Sequence, residues 1–192
     1  MSEHSPPRPE VVLTIGHSNR SSEEFLQLLS AYKVQLLADV RKLPGSRANP
    51  QFGGAELAKS LRSAAIDYVH LPGLGGLRRG SPDSPNGGWR NTSFRAFADY
   101  MLTPEFADAI ADLISRAAAQ RCAIMCAEAV PWQCHRSLIA DALVVRGIPV
   151  EHILSKTRGD KHTLRDWAHV EGTRITYPPA ELPLFDSAAA KR

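Results

Sequence analysis

The stretch CAIMCAEAVPWQCHRSLIADALVVRG, residues 122 to 147, has the pattern of a buried strand followed by a helix. CAIMCAEA is a short apolar run of strand length, and CHRSLIADALVVRG has helical periodicity up to Gly147. A strand that leads directly into a helix is half of a βαβ unit, in which the next strand runs parallel to the first. This stretch therefore favours an α/β fold.

The same alternation extends on both sides of that stretch. Helical patterns such as SSEEFLQLLSAY follow the apolar runs, and Ser21 and Glu24 in it have the spacing of a capping box. The remaining predicted strands are VVLTIGHS, QLLADVRKLP, IDYVHLPG and PVEHIL. We predict a single α/β domain with a mostly parallel sheet flanked by helices on both faces.

Length and composition define the expected boundaries. The chain has 192 residues, which suits one domain. We predict a flexible N-terminus over residues 1–10, an α/β domain over 11–157 and an extended C-terminal tail over 158–192. No apolar run reaches the roughly 18 residues of a membrane span, so no membrane partner is expected. Three cysteines form no even disulfide framework, which favours a cytoplasmic protein.

Polar residues follow the ends of several predicted strands. His17, Ser18, Asn19 and Arg20 follow the first, and Asp39 with Arg41 and then Glu128 follow two others; these are the candidate site residues. Ligands of open parallel sheets bind at the carboxyl ends of the strands, so we expect one shared pocket there.

Each of these residues also has a structural interpretation. Asp39 is either a pocket carboxylate or the ion-pair partner of Arg41. Glu128 is either functional or part of a buried salt bridge, and His17 is either catalytic or structural. Arg136, at the start of a helix, is predicted to hold an anion such as phosphate.

The cysteines allow a different chemistry. Cys134 is predicted near a helix start, where the dipole and nearby cations lower a thiol pKa, and Cys126 would be its resolving thiol. Cys126, Cys134 and His135 lack the usual C-x2-C or H-x3-H spacing of zinc sites. His17 would complete a ligand set only through the fold. We therefore predict no metal and no cofactor, with a metal kept as the alternative.

The middle of the chain is basic. Residues 41–95 contain nine Lys or Arg and three Asp or Glu, although the net charge of the chain is only +3. Such a stretch attracts phosphates, or is simply a solvated basic face. Trp89, Arg90 and Trp132 suit stacking on a nucleobase, and each tryptophan equally suits packing. DNA or a nucleotide is the predicted partner.

Several motifs together resemble the bacterial family catalogued as domain of unknown function 488 (DUF488). They are TIGHSNRS, DVRKLPGSR, YVHLPGLGG, NTSFRAFADYM and MCAEAVPWQCHRSLIADAL, which fall within residues 11–153. The resemblance implies an α/β fold and a site built from these motifs, and it carries no settled activity.

The C-terminal segment AELPLFD resembles the short peptide by which bacterial DNA-processing proteins dock on the replication sliding clamp. Leu182, Leu184 and Phe185 would be the apolar anchors of such a peptide. Glu181 stands where the peptide prefers glutamine. The alternative is that these side chains pack on the protein's own core.

Together these features predict a DNA-processing enzyme, in DNA repair, that hydrolyses the N-glycosidic bond to an altered base. Asp39 or Glu128 would activate water or stabilise the sugar cation, His17 would assist, and Arg20, Arg41 and Arg136 would hold phosphate. Two alternatives stay open: a cysteine-dependent redox or sulfur-handling enzyme using Cys134 and Cys126, and a non-catalytic nucleic-acid-binding protein.

Overall fold

Two neighbouring strands at the centre of the sheet are buried at every position. They are β1 (Val12–Gly16) and β4 (Cys122–Cys126), in a computed structural model that describes residues 9–45 and 48–180. Strands buried on both faces lie between two helical layers, as in α/β proteins. The other strands are β2 (Leu36–Asp39), β3 (Asp67–His70), β5 (Val150–Ile153), β6 (Gly159–Lys161), β7 (His169–Glu171) and β8 (Arg174–Thr176).

The strand order of the main sheet is β3-β2-β4-β1-β5-β6. The first five strands are parallel, and β6 pairs antiparallel with β5. From β1 the chain moves toward the β3 edge of the sheet to form β2, and from β4 it moves toward the β6 edge to form β5. The order therefore reverses between β1 and β4, where open α/β sheets bind their ligands.

Helices cover both faces of the sheet, which confirms the predicted fold class. One apolar cluster lies between the sheet and α1 (Ser22–Ala31) and α2 (Gly54–Ser63). A second cluster lies between the opposite face and the other three helices. Those helices are α3 (Thr92–Tyr100), α4 (Pro104–Ala119) and α5 (Arg136–Val144).

Helix starts follow the expected capping chemistry. Ser21 accepts a hydrogen bond from the backbone N–H of Glu24 at 3.1 Å, as the capping-box spacing predicts. Thr103 caps α4, which has Pro104 in its first turn. Within the described residues, no helix combines the length and the apolar character needed to cross a bilayer.

The prediction of an extended tail after residue 157 is wrong for residues 158–180, which contain three strands. Residues 159–161 add β6 to the sheet, and β7 and β8 form a separate hairpin. Tyr177 is fully buried, and its hydroxyl donates to Asp141 at 2.7 Å. Strands of three residues are too short to show a periodic pattern, so the sequence did not reveal them.

Two sequence predictions concern segments outside the described residues. The flexible N-terminus falls there for residues 1–8, and the clamp peptide falls there with Leu182, Leu184 and Phe185.

Candidate functional site

The loops that follow β1 and β4 are hydrogen-bonded to each other. The His17 backbone N–H donates to the Cys126 carbonyl at 3.0 Å, and that of Ser18 donates to the Ala127 carbonyl at 2.8 Å. A Cβ atom at Gly16 would lie 1.8 Å from the Glu128 carbonyl oxygen. Only glycine therefore permits this close approach, which brings the two strand ends into one site.

A pocket of about 730 Å³ opens at this edge of the sheet. It joins residues from the β1 and β4 loops to the segment after β2 and the loop before α3. Of the residues predicted from the sequence, seven line it: His17, Ser18, Asn19, Arg41, Cys126, Glu128 and Cys134. The expectation of a shared pocket at the strand ends is matched by this arrangement.

Asp39 is the ion-pair partner of Arg41 and does not line the pocket. One carboxylate oxygen accepts from Arg41 Nε at 2.9 Å, and the other accepts from Nη2 at 2.6 Å. The Tyr68 hydroxyl donates to the second oxygen at 2.9 Å. Asp39 is fully buried, so its carboxylate is committed to holding Arg41. The structure thus favours the second of the two interpretations of Asp39.

His17 orients the same arginine from the other side. Its Nδ1–H donates to the Ser18 carbonyl at 2.7 Å, which leaves Nε2 to accept from Arg41 Nη1 at 3.3 Å. Burial lowers the pKa of His17, and the ring stacks on Phe52 with centroids 4.3 Å apart. A neutral imidazole with both nitrogens engaged is suited to positioning Arg41 and not to proton transfer.

Glu128 presents the free carboxylate of the pocket. Its side chain is exposed and lines the cavity, and no described residue forms an ion pair or hydrogen bond with its carboxylate. The sequence left a buried salt bridge open as the alternative, and the exposure of Glu128 argues against it. Asp39 and Glu128 therefore have different roles, since only Glu128 can face a substrate.

Two of the arginines predicted to bind phosphate donate hydrogen bonds to backbone carbonyls instead. Arg136 is 1% exposed, and its guanidinium donates to the carbonyls of Glu128 and Ala129. Arg20 donates to the Gly16 carbonyl and pairs with Glu24 at 3.3 Å. Neither lines the pocket. Arg136 holds the loop that carries Glu128, whereas Arg41 does line the pocket.

Two cysteine sulfurs and a histidine nitrogen meet on the pocket wall. His135 Nδ1 lies 3.8 Å from Cys126 Sγ and 3.7 Å from Cys134 Sγ. These three atoms all lie within 4.8 Å of one another, so they can hold a metal ion. His135 Nε2–H donates to the Val40 carbonyl at 3.2 Å, which turns the Nδ1 lone pair toward the sulfurs.

The two thiols of this cluster differ in acidity. A hydrogen bond from Cys126 and the charge of Arg136 lower the pKa of Cys134 to about 7, against the effect of burial. The same hydrogen bond and burial raise the pKa of Cys126. Cys134 is therefore the more acidic of the two thiols. Cys122 is a buried cysteine outside the cluster.

The family model for Domain of unknown function DUF488 matches residues 21–143, about two thirds of the chain. The chain belongs to the DUF488 family. This confirms the resemblance predicted from its motifs, and the matched segment contains Arg41, Glu128 and the cysteine–histidine cluster. No curated protein and no solved structure matches the chain.

The aromatic residues predicted to stack on a base lie elsewhere in this DUF488 protein. Trp89 packs against Phe94 at 4.8 Å and Trp167 at 5.0 Å between ring centroids. Trp132 is 65% exposed, and Arg90 is also exposed, yet neither lines the pocket. Their predicted contacts with nucleic acid stay predictions.

Other pocket residues of the DUF488 protein were not in the predicted set. Leu43 and Leu77 are 72% and 82% exposed at its wall, where single apolar residues in loops give no periodic signal. Phe94, in the motif NTSFRAFADYM, also lines the pocket. His135 was considered only as a possible metal ligand with Cys126 and Cys134, because adjacency in sequence does not show that its Nδ1 faces both sulfurs.

Proposed function

We propose that this DUF488 protein hydrolyses the N-glycosidic bond between a sugar and an altered base, in DNA or in a nucleotide. One observation carries the proposal: the exposed carboxylate of Glu128, which no described residue pairs with, lines the same pocket as the positioned guanidinium of Arg41. A carboxylate for proton transfer beside a cation for phosphate is what this reaction requires.

Arg41 is prepared to bind an anion. Asp39 and His17 hold its guanidinium in place while the residue lines the pocket. Lys42 also lines the pocket and is exposed. A phosphate placed here would receive charge-assisted hydrogen bonds from a guanidinium that needs no reorganisation.

The remaining walls suit a nucleobase. Phe94, Leu43 and Leu77 provide apolar and aromatic surface, and the amides of Asn19 and Gln133 provide donors and acceptors. A base presents an apolar face together with polar edges, and enzymes that act on a base take it into such a pocket. The lining thus matches both halves of a nucleotide.

In this scheme Glu128 accepts a proton from the attacking water. The water oxygen bonds to the anomeric carbon as the bond to the base nitrogen breaks, and the proton passes to the departing base. Asp39 and His17 act through Arg41, so they are positioning residues. Binding without cleavage would correspond to the alternative of a nucleic-acid-binding protein.

A cleavage screen with matched variants tests the proposal. Labelled duplexes that each contain one altered base are incubated with the protein and probed for alkali-labile abasic sites. We expect cleavage at one lesion and a loss of about 100-fold or more in Glu128→Gln. Glu56→Gln, which changes an exposed carboxylate of α2 outside the pocket, should keep full activity. Wild-type cleavage by Glu128→Gln would contradict the proposal.

A further inference from the structure

We infer that Cys126, Cys134 and His135 form a zinc site whose fourth coordination position opens into the pocket. The metal would be bound by two thiolates and one imidazole nitrogen. The site itself is argued from geometry alone, while its role in activating water rests on the proposed function.

The spacing of the three atoms fits a tetrahedral ion. Zinc lies about 2.3 Å from a thiolate sulfur and about 2.05 Å from an imidazole nitrogen, so the two ligand atoms of a tetrahedron are about 3.6 Å apart. The observed distances from His135 Nδ1 to the sulfurs are 3.7 Å and 3.8 Å. The two sulfurs lie within 4.8 Å of each other, and across a tetrahedral zinc they would be about 3.8 Å apart. An ion would therefore draw the two cysteine side chains together by up to about 1 Å.

The histidine is already held in the orientation a ligand requires. Its Nε2–H donates to the Val40 carbonyl at 3.2 Å, which is the outer-shell contact common to metal-bound histidines. Phe97 packs beside the ring with centroids 5.0 Å apart. The ring therefore has little freedom to turn its lone pair away from the sulfurs.

The fold brings the three ligands together although their spacing in the sequence is not that of a usual zinc site. Cys126 is the last residue of β4, and Cys134 and His135 directly precede α5. The loop between them is held by Arg136 through the carbonyls of Glu128 and Ala129. Ligands that do not follow the usual zinc spacing thus converge because a buried arginine fixes their connection.

The number and position of the ligands indicate a catalytic site. Structural zinc has four protein ligands, whereas catalytic zinc has three and a water. All three residues line the 730 Å³ pocket, so the fourth position is accessible to water and substrate. Glu128, two residues after Cys126, lines the same pocket and is placed to serve as a proton acceptor that is not a ligand.

Such a site would provide the nucleophile of the proposed reaction. Zinc lowers the pKa of a bound water to about 7, so hydroxide is available at neutral pH. The water proton goes to Glu128, the oxygen bonds to the anomeric carbon, and the bond to the base nitrogen breaks. Glu128 then returns the proton to the departing base, and no other reactant is needed.

Metal binding is tested on the full chain with Co²⁺ as a spectroscopic substitute for zinc. The protein is reduced, treated with a chelator and titrated with Co²⁺, and thiolate-to-cobalt absorption is recorded. We expect one equivalent to bind with two-thiolate intensity. Affinity should fall by more than about 10-fold in Cys126→Ser, Cys134→Ser and His135→Gln. Cys122→Ser, the matched control, should bind as the wild type does.

A stability readout distinguishes loss of a ligand from misfolding. Zn²⁺ should raise the Tm of the wild type and of Cys122→Ser, and it should not raise that of a folded Cys134→Ser variant. Absence of thiolate-to-cobalt absorption in the folded wild type would overturn the inference. So would formation of a Cys126–Cys134 disulfide in the presence of Zn²⁺, which would favour the cysteine-dependent redox enzyme.

The same preparation distinguishes failure of the site from failure of the proposed function. Metal binding without cleavage of any duplex supports the zinc site and overturns the glycosidic reaction on DNA. Full cleavage by chelator-treated protein would support the glycosidic reaction and overturn the role of the metal in activating water.

Discussion

The Asp39 carboxylate holds the Arg41 guanidinium through both of its oxygens, at 2.9 Å from Nε and 2.6 Å from Nη2. Both side chains are buried, and Arg41 still reaches the pocket. Because the carboxylate has no face toward a substrate, its function is to present a cation in a fixed direction. In the proposed reaction, the role for which the sequence offered Asp39 or Glu128 is therefore assigned to Glu128.

Removing the charge of Asp39 should destabilise the fold. Asp39→Asn leaves Arg41 buried without its counter-charge, so we expect the free energy of unfolding to fall by about 3 kcal/mol in urea titrations. Asp112→Asn is the control, because Asp112 pairs with Arg116 at a similar 2.9 Å on the exposed surface. That change should cost less than about 1 kcal/mol. Equal losses in the two variants would contradict the positioning role of Asp39.

The sequence was sufficient to predict the location of the pocket, because a general rule of parallel sheets applies there. Strand ends of a parallel sheet share an edge, so the residues after β1 and β4 could be expected to meet, and His17 and Glu128 do line one pocket. The family could be predicted because its motifs extend over most of the chain. The fold class followed from alternating apolar patterns of ordinary length.

The sequence was less informative about which partner a charged residue chooses. Arg136 and Arg41 are both arginines beside polar motifs, yet one is directed at backbone carbonyls and the other at the pocket. That difference depends on side-chain direction in three dimensions, which residue type and spacing do not reveal. The same limit applies to His135, whose lone pair is directed by a contact with Val40, distant in the sequence.

Gly16 should tolerate no side chain. A Cβ atom there would lie 1.8 Å from the Glu128 carbonyl oxygen, so Gly16→Ala must separate the loops after β1 and β4. We expect a loss of about 3 kcal/mol in stability, together with reduced cleavage because Glu128 is displaced. Gly45→Ala is the control, since no described residue lies within 4 Å of its added Cβ atom. Denaturant unfolding of both variants checks this, and a stable Gly16→Ala would show that the loops can move apart freely.

Arg136 should not be replaceable by lysine. Its two terminal nitrogens donate to the carbonyls of Glu128 and Ala129, and an ammonium cannot reproduce that fork. We expect Arg136→Lys to lower the free energy of unfolding by about 2 kcal/mol, because the buried guanidinium loses part of its paired hydrogen bonds to these carbonyls. Arg116→Lys, at an exposed surface pair, should change stability by less than about 0.5 kcal/mol. A stable Arg136→Lys variant in urea titrations would indicate that the loop is held by other contacts.

A buried histidine pair should make stability depend on pH. His152 Nε2 lies 2.9 Å from His162 Nδ1, and its Nδ1 lies 2.7 Å from the Thr14 hydroxyl. Burial, followed by the nearby charges of His162 and Arg136, lowers the pKa of His152 to about 4, although Asp160 and Asp141 oppose the shift.

The direction of the pH effect follows from where the proton binds first. The unfolded chain takes up the His152 proton near pH 6.5, and the folded protein does so only near pH 4. The stabilisation is therefore complete above pH 6.5 and is lost as the pH falls to 4, by about 3 kcal/mol. In urea titrations across this range, His152→Gln should lose less stability on acidification than the wild type. His169→Gln, which changes an exposed histidine of β7, should follow the wild-type curve. Parallel curves for His152→Gln and the wild type would show that His152 takes no part in the acid response.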